Sequence, residues 1–218
     1  MPRLLKQPVP SRIFASLAAL TLCVVLAGCS NDDDAELDET MDASEIESAE
    51  YVPASADGPA QNVPEPKLPA VATENTEEGA EATLKYFWEA ESLASLTGNT
   101  RPLELVSSGD CEFCMESVEG WGQSYDEGAW AVLHGDIRIS VSQIETAIDE
   151  TTENPVAHVY FELEEPPTDF YESDGEPSDT SFDTSSQSNW FALLFFDATA
   201  QRWEIEWLGL EESVDWEE

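Results

Sequence analysis

Apolar and polar positions in the second half of the chain repeat with two different periods, and the change of period separates helices from strands. Within "NTEEGAEATLKYFWEAESLASLTGN", Ala80, Leu84, Phe87 and Ala94 share one face at helical spacing. Asn75 followed by Glu78 reads as a capping box, and Gly98 as the residue that ends the helix. "TRPLELVSS" predicts a short helical turn begun by Pro102. Asp110 is then placed to cap a third helix. On it Cys111, Cys114, Val118, Trp121 and Tyr125 form one apolar seam, although Gly120 and Gly122 weaken its second half.

From Trp130 the period becomes two. "WAVLHGDIRISVSQIETAI" sets Ile137, Ile139 and Val141 against Arg138, Ser140 and Ser142. "PVAHVYFELE" sets Ala157, Val159, Phe161 and Leu163 against His158, Tyr160 and Glu162. "NWFALLFFDA" is apolar on both faces, which predicts a central strand, and "RWEIEWLGL" alternates again after the hairpin connection "DATAQ". Helices first and strands afterwards predict an α+β domain over residues 76–211, its helices packed on one face of a curved antiparallel sheet. The acidic insert between two of the strands is too long for a compact turn, so residues 166–188 are expected to be a disordered loop.

The first third of the chain shows no such periodicity. Residues 1–28 hold Arg3, Lys6, Arg12 and no acid, followed by "IFASLAALTLCVVLAG". A basic start and a short apolar run predict a secretory signal, and the run is shorter than the ~20 apolar residues a spanning helix needs. It ends in Leu26-Ala27-Gly28-Cys29, which resembles the bacterial lipobox. That resemblance implies that the Cys29 sulfur receives a diacylglyceryl group and that Cys29 becomes the acylated N-terminus. The expected location is therefore the extracytoplasmic face of the cell membrane, with membrane lipid as the first partner. Residues 29–75, acidic and then Pro/Ala-rich, are expected to be a disordered tether, and 212–218 an acidic tail.

Charge narrows the function classes. All 47 acids follow position 28 and only Lys67, Lys85, Arg101, Arg138 and Arg202 are basic there, so a chain cut before Cys29 carries −42. Such a field repels nucleic acid and anionic headgroups, and solubility in a salty habitat is the plain explanation for it. "NDDDAELDETMD" lacks the D-x-D-x-D-G spacing of a calcium loop.

Candidate chemistry is sparse. With Cys23 in the signal and Cys29 lipidated, Cys111 and Cys114 remain as a pair, read as a structural disulfide in an exported protein. Thiol–disulfide exchange is the alternative; Asp110, Glu112 and Glu116 oppose it by disfavouring thiolate. His134 and His158 stand 24 apart, not at finger spacing, and a second C-x-x-C is absent, so no metal and no cofactor is expected. Trp190, Phe195, Trp203 and Trp207 read as core, as a ligand site, or as a sheet face through which a homodimer forms.

The order of elements resembles the nuclear-transport-factor-2-like (SnoaL-like) cone. More narrowly, "AEATLKYFW", Thr97-Gly98-Asn99, the Cys111/Cys114 pair and Trp203 with Trp207 resemble an uncharacterised family of actinobacterial lipoproteins. Enzymes on the cone use His or Asp inside the pocket, so the resemblance makes His158 and Asp136 the catalytic candidates. The reading reached from the sequence is a non-catalytic, lipid-anchored domain that binds a small ligand or an envelope protein. Its rival is a hydrolase- or isomerase-like pocket using His158 and a carboxylate.

Overall fold

The computed structural model describes residues 50–211. The signal (1–28), Cys29, the first part of the tether and the tail 212–218 lie outside the described residues. Within them the chain runs α1 (Glu77–Thr97), α2 (Arg101–Val106), α3 (Glu112–Asp126), β1 (Trp130–Leu133), β2 (Arg138–Ile148), β3 (Pro155–Glu165), β4 (Thr168–Tyr171), β5 (Ser185–Asp197) and β6 (Arg202–Leu210). Strands β2-β3-β5-β6 form one antiparallel sheet, and β1 pairs with β4 in a second, two-stranded one. The architecture is α+β, with three helices against antiparallel sheet.

Helix α1 forms where its stripe predicts. Ala80, Leu84, Phe87 and Ala94 are all fully buried. Its start differs by one residue from the expected cap: Thr76 is the N-cap, its hydroxyl accepting from the Gly79 N–H at 3.1 Å. Gly98 closes the helix at φ 70°, a left-handed conformation that glycine adopts without strain. A side chain there would also strike Tyr125, whose Cβ lies 2.5 Å from where a glycine-98 Cβ would stand. Tyr125 donates its hydroxyl to the Ser95 carbonyl at 2.8 Å, and burial pushes its pKa up to about 12. Helix α3 runs unbroken through Gly120 and Gly122. Its N-cap is Cys111 in place of the expected Asp110, with Sγ accepting from the Cys114 N–H at 3.3 Å.

The core lies between the helices and one face of the large sheet. Leu84 and Phe87 of α1, Leu103 and Val106 of α2, Cys111 and Cys114 of α3 meet Val159, Phe161 and Leu163 of β3, Leu194 of β5, and Trp203 and Ile205 of β6. Each such side chain contributes about 1.5–3 kcal/mol by leaving water. On the opposite face His158, Tyr160, Phe191 and Trp207 form a ring cluster, with centroids 5.1–5.7 Å from Phe191.

Two expectations are corrected. The tether was expected to run to residue 75, but residues 50–75 pack onto the domain, which therefore begins near 50. Val52 pairs with Gln61, and Ala70–Thr73 form a 3-10 turn with Ala72 fully buried. The physical reason is two indole donors reaching back to this segment. Trp130 Nε1 donates to the Ser55 carbonyl at 2.8 Å and Trp203 Nε1 to the Glu74 carbonyl at 2.9 Å. Likewise, residues 166–188 were expected to be a disordered loop, yet they hold β4, which pairs with β1 from Trp130↔Tyr171 to Leu133↔Thr168. Stacking of Trp130 on Tyr171 (5.3 Å, 11°) and of Phe170 on Trp121 (5.9 Å, 14°) gives the insert apolar partners that its composition does not advertise.

Candidate ligand-binding site

Position 91 lies four residues after Phe87 and three before Ala94, so helical spacing carries it onto the buried face of α1. The residue there is Glu91, 8% exposed and the single buried carboxylic acid among the described residues. Its Oε1 accepts from Trp121 Nε1 of α3 at 2.7 Å, while Oε2 has no hydrogen-bond partner among the described residues. Burial raises its pKa to about 7, Trp121 and Ser117 draw it down, and the charge of Glu165 adds to the rise. Ser117 thus stands near enough to favour the ionised form without closing a bond to Oε2.

Further unpaired donors lie around this carboxyl. Trp88, one turn before Glu91, and Trp190 of β5 each bury an indole Nε1 that finds no acceptor among the described residues. The two rings meet edge to face at 5.8 Å, and Phe113 lies 6.0 Å from Trp88 and 5.5 Å from Trp190. Buried polar atoms are paired in the great majority of cases, so three orphans in one contiguous cluster mark a place where the fold does not complete itself.

Two cavities open beside the cluster. One, about 280 Å³, lies on α3 and is lined by Phe113, Glu116, Ser117, Gly120 and Trp121. Ser117 and Trp121, which act on Glu91, stand between its carboxyl and this groove, and Glu91 itself is not part of the lining. The other, about 340 Å³, lies between α1 and the β2–β3 edge, with Trp88 and Ile139 as apolar wall. Lys85 and Arg138 reach it, each already engaged, Lys85 with Glu81 and Arg138 with Glu164, both at 2.6 Å. The hydrogen bond from Arg138 to Glu164, and then the charge of Asp136, raise the guanidinium pKa.

The residues singled out from the sequence do not converge here. Asp136 precedes β2 beside Arg138, whose register partner is Glu164; His158 pairs with Glu145 at the other end of the β2–β3 ladder. Six residues of strand, about 20 Å, separate Glu164 from His158, and Asp136 lies two residues before the ladder begins. His158 faces the ring cluster away from the helices. Cys111 and Cys114 are joined as a disulfide, S–S 2.05 Å, and both are fully buried. Trp203 belongs to the core, Trp190 to the polar-aromatic cluster, and Phe195 and Trp207 are half-buried on the opposite face. His134 makes a different pair, Nε2 to Asp169 Oδ2 at 2.7 Å across β1 and β4, with both side chains about half exposed. Among the described residues no three His, Cys, Asp or Glu side chains gather as a metal-binding group.

Glu91 escaped the sequence reading, though an acid on the apolar stripe of α1 was its visible signal. Its partner was not visible: Trp121 lies 30 residues away on another helix.

Residues 49–207 match the model of a family described as being of unknown function, DUF6318. No curated protein matches the chain. Among solved structures, the intermembrane space region of chloroplast protein ARC6 is similar with a TM-score of 0.41 and 13% identity, over 62% of this chain and 95% of that one.

Proposed function

The chain belongs to the DUF6318 family of unknown function, and from that premise we propose that it is a lipid-anchored extracytoplasmic protein whose α+β domain binds a ligand or partner at the cell envelope without catalysing a reaction. Support for the anchor is the basic start, the apolar run and Leu26-Ala27-Gly28-Cys29. Two acyl chains hold a protein on a bilayer where one binds reversibly. The finer family reading, an actinobacterial lipoprotein with a nuclear-transport-factor-2-like cone, draws support from the helices-first order and from the helices lying over one face of the β2-β3-β5-β6 sheet.

The observation that carries binding over catalysis is the half-satisfied Glu91, buried behind the Ser117 and Trp121 side chains that line a groove on α3. A general acid or base needs a second group within hydrogen-bond reach of one reacting centre. His158 and Asp136 lie toward opposite ends of the β2–β3 ladder, and the Cys111–Cys114 sulfurs are sealed in the core.

Fractionation of cells expressing the whole chain tests the anchor. The wild-type protein is expected in the membrane fraction with two acyl chains' mass on residue 29, and Cys29→Ser in the soluble fraction. Retention of residues 1–28 on the purified native protein would overturn the reading.

A further inference from the structure

We propose that a groove where β2, β3 and β5 meet binds a chain of neutral sugar units, through two serine–amide pairs set on either side of Tyr160. This gives the binding role proposed above a ligand class and rests on it. The sheet is irregular twice at this place. On β2, Val141 pairs with Phe161 and Gln143 with Tyr160, so Ser142 is an extra residue. On β5, Trp190 pairs with Phe161 and Gln187 with Leu163, so Ser188 and Asn189 together face Glu162. Each is a bulge, and a bulge re-aims side chains that a regular strand sends to alternate faces. Both have the same result. Ser142 and Gln143 from β2, Ser188 and Asn189 from β5, all four exposed, line one groove of about 430 Å³ with Tyr160 and Glu211. A second groove, about 280 Å³, continues from Ser188 and Asn189 along β5 to Ser186 and Gln187.

The lining selects the ligand. In a chain with 47 acids among 218 residues, the stretch "SSQSN" that opens β5 carries no charge. Glu211 is the one charged side chain among the described residues of either lining. An anion would find no cation there, and the net charge of −39 repels it. A lone carboxylate gives too few ligands for a hard metal ion. Hydroxyls and amides, each donor and acceptor at once, match a ligand that is also both, as a polyol is. Their positions are partly fixed: Ser142 Oγ donates to the Tyr160 carbonyl at 3.0 Å, Ser188 Oγ to Asn189 Oδ1 at 3.3 Å, and Gln143 Nε2 to Glu145 Oε1 at 2.8 Å. The serine oxygens and Gln143 Oε1 keep capacity to accept, and Asn189 Nδ2 to donate. Phe161 and Trp190 also line the groove, but their rings pack with the core. Tyr160, half-buried beside Phe191, offers an amphipathic ring to the C–H face of a sugar. Cleaving a glycosidic bond takes a pair of carboxyls, and Glu211 stands alone among the described lining residues, so the groove holds without reacting.

Calorimetric titration of the whole chain, purified in a detergent without a sugar headgroup, tests this. The probes are neutral trisaccharides of glucose, galactose, mannose and N-acetylglucosamine. Saturable binding of at least one is expected, with its monosaccharide binding more weakly because it leaves the second groove empty. Gln143→Ala with Asn189→Ala removes two exposed amides and is expected to weaken binding about tenfold or more, with the thermal midpoint unchanged. Lys85→Ala, which alters the cavity between α1 and the β2–β3 edge instead, is expected to bind as the wild type does. No saturable response to any of the four, a monosaccharide binding as tightly as its trisaccharide, or undiminished binding by the double variant overturns the assignment. An acylated protein in the membrane fraction that binds none of them overturns the saccharide site alone. An unacylated, soluble product that binds one overturns the anchor and leaves the site standing.

Discussion

Three tryptophans, Trp88, Trp190 and Trp203, set at two ends of the same core, show two ways of burying an indole nitrogen. Trp203 is fully buried, and its Nε1 donates to the Glu74 carbonyl at 2.9 Å. Gly79 lets the Glu74 carbonyl approach so tightly that an added Cβ would lie 2.1 Å from it, although Nε of the adjacent Arg202 is buried without an acceptor. At the other end Trp88 and Trp190 bury their nitrogens without an acceptor, and Glu91 keeps one oxygen unpaired. Leaving a buried polar group unmatched costs about 1–3 kcal/mol. The Trp203 end is built for stability, whereas the Trp88–Glu91 end tolerates a loss that stability alone does not reward.

The sharpest way to break this contrast is truncation at the closed end. Trp203→Ala is expected to cost about 4 kcal/mol, as large aromatic-to-alanine changes in cores do, and to release the 50–75 segment. Denaturant unfolding together with limited proteolysis near Glu74 reads both effects.

At the open end the sign reverses. The folded chain holds the Glu91 proton up to about pH 7, whereas the unfolded chain releases it near 4.5. Stability from this group is therefore present below pH 4.5 and lost as pH rises to 7. Glu91→Gln is expected to remove that dependence and to be more stable than the parent at pH 8 by about 3 kcal/mol. Urea midpoints of both proteins between pH 5 and 8 check it; curves that stay parallel would show that the carboxyl is not buried as described.

The disulfide bears on the open end, because it starts α3, whose Trp121 donates to Glu91. Cys111→Ser with Cys114→Ser is expected to cost about 2 kcal/mol, the small value of a very short loop. Hydrogen exchange should rise more at Ser117–Trp121 than around Trp203. Smallest is the cap at the closed end: Thr76→Ala removes an acceptor for the Gly79 N–H and is expected to cost about 1 kcal/mol in thermal unfolding.

These two ends also differ in how much of them the sequence discloses. Helix α1 and the large sheet were readable because their periods are uninterrupted over many residues, as in Leu84–Phe87 or Val159–Phe161–Leu163. Strand β4 was not, since four residues among prolines and acids carry no period, and the β1 strand they pair with lies some 35 residues away, joined by contacts such as His134 with Asp169. Residues 50–75 were read as tether because their attachments are backbone carbonyls, at Ser55 and Glu74, and any residue supplies a carbonyl. The candidate site was half readable: an acid on the apolar face of α1 is visible in the sequence, but its partner Trp121 and the neighbours Phe113 and Trp190 meet it only after folding. His158 and Asp136 drew attention by residue type, and strand register separates them.

Strapping of residues 50–75 onto the domain has a consequence for reach. A lipid-held Cys29 would be joined to the described residues through residues 30–49 alone, 20 residues in place of the 46 that a tether to residue 75 would give. On a short leash of that kind, with nine acids along it, a domain anchored as proposed would work in a thin layer next to the bilayer, and whatever it captured would have to come to the lipid surface to be caught.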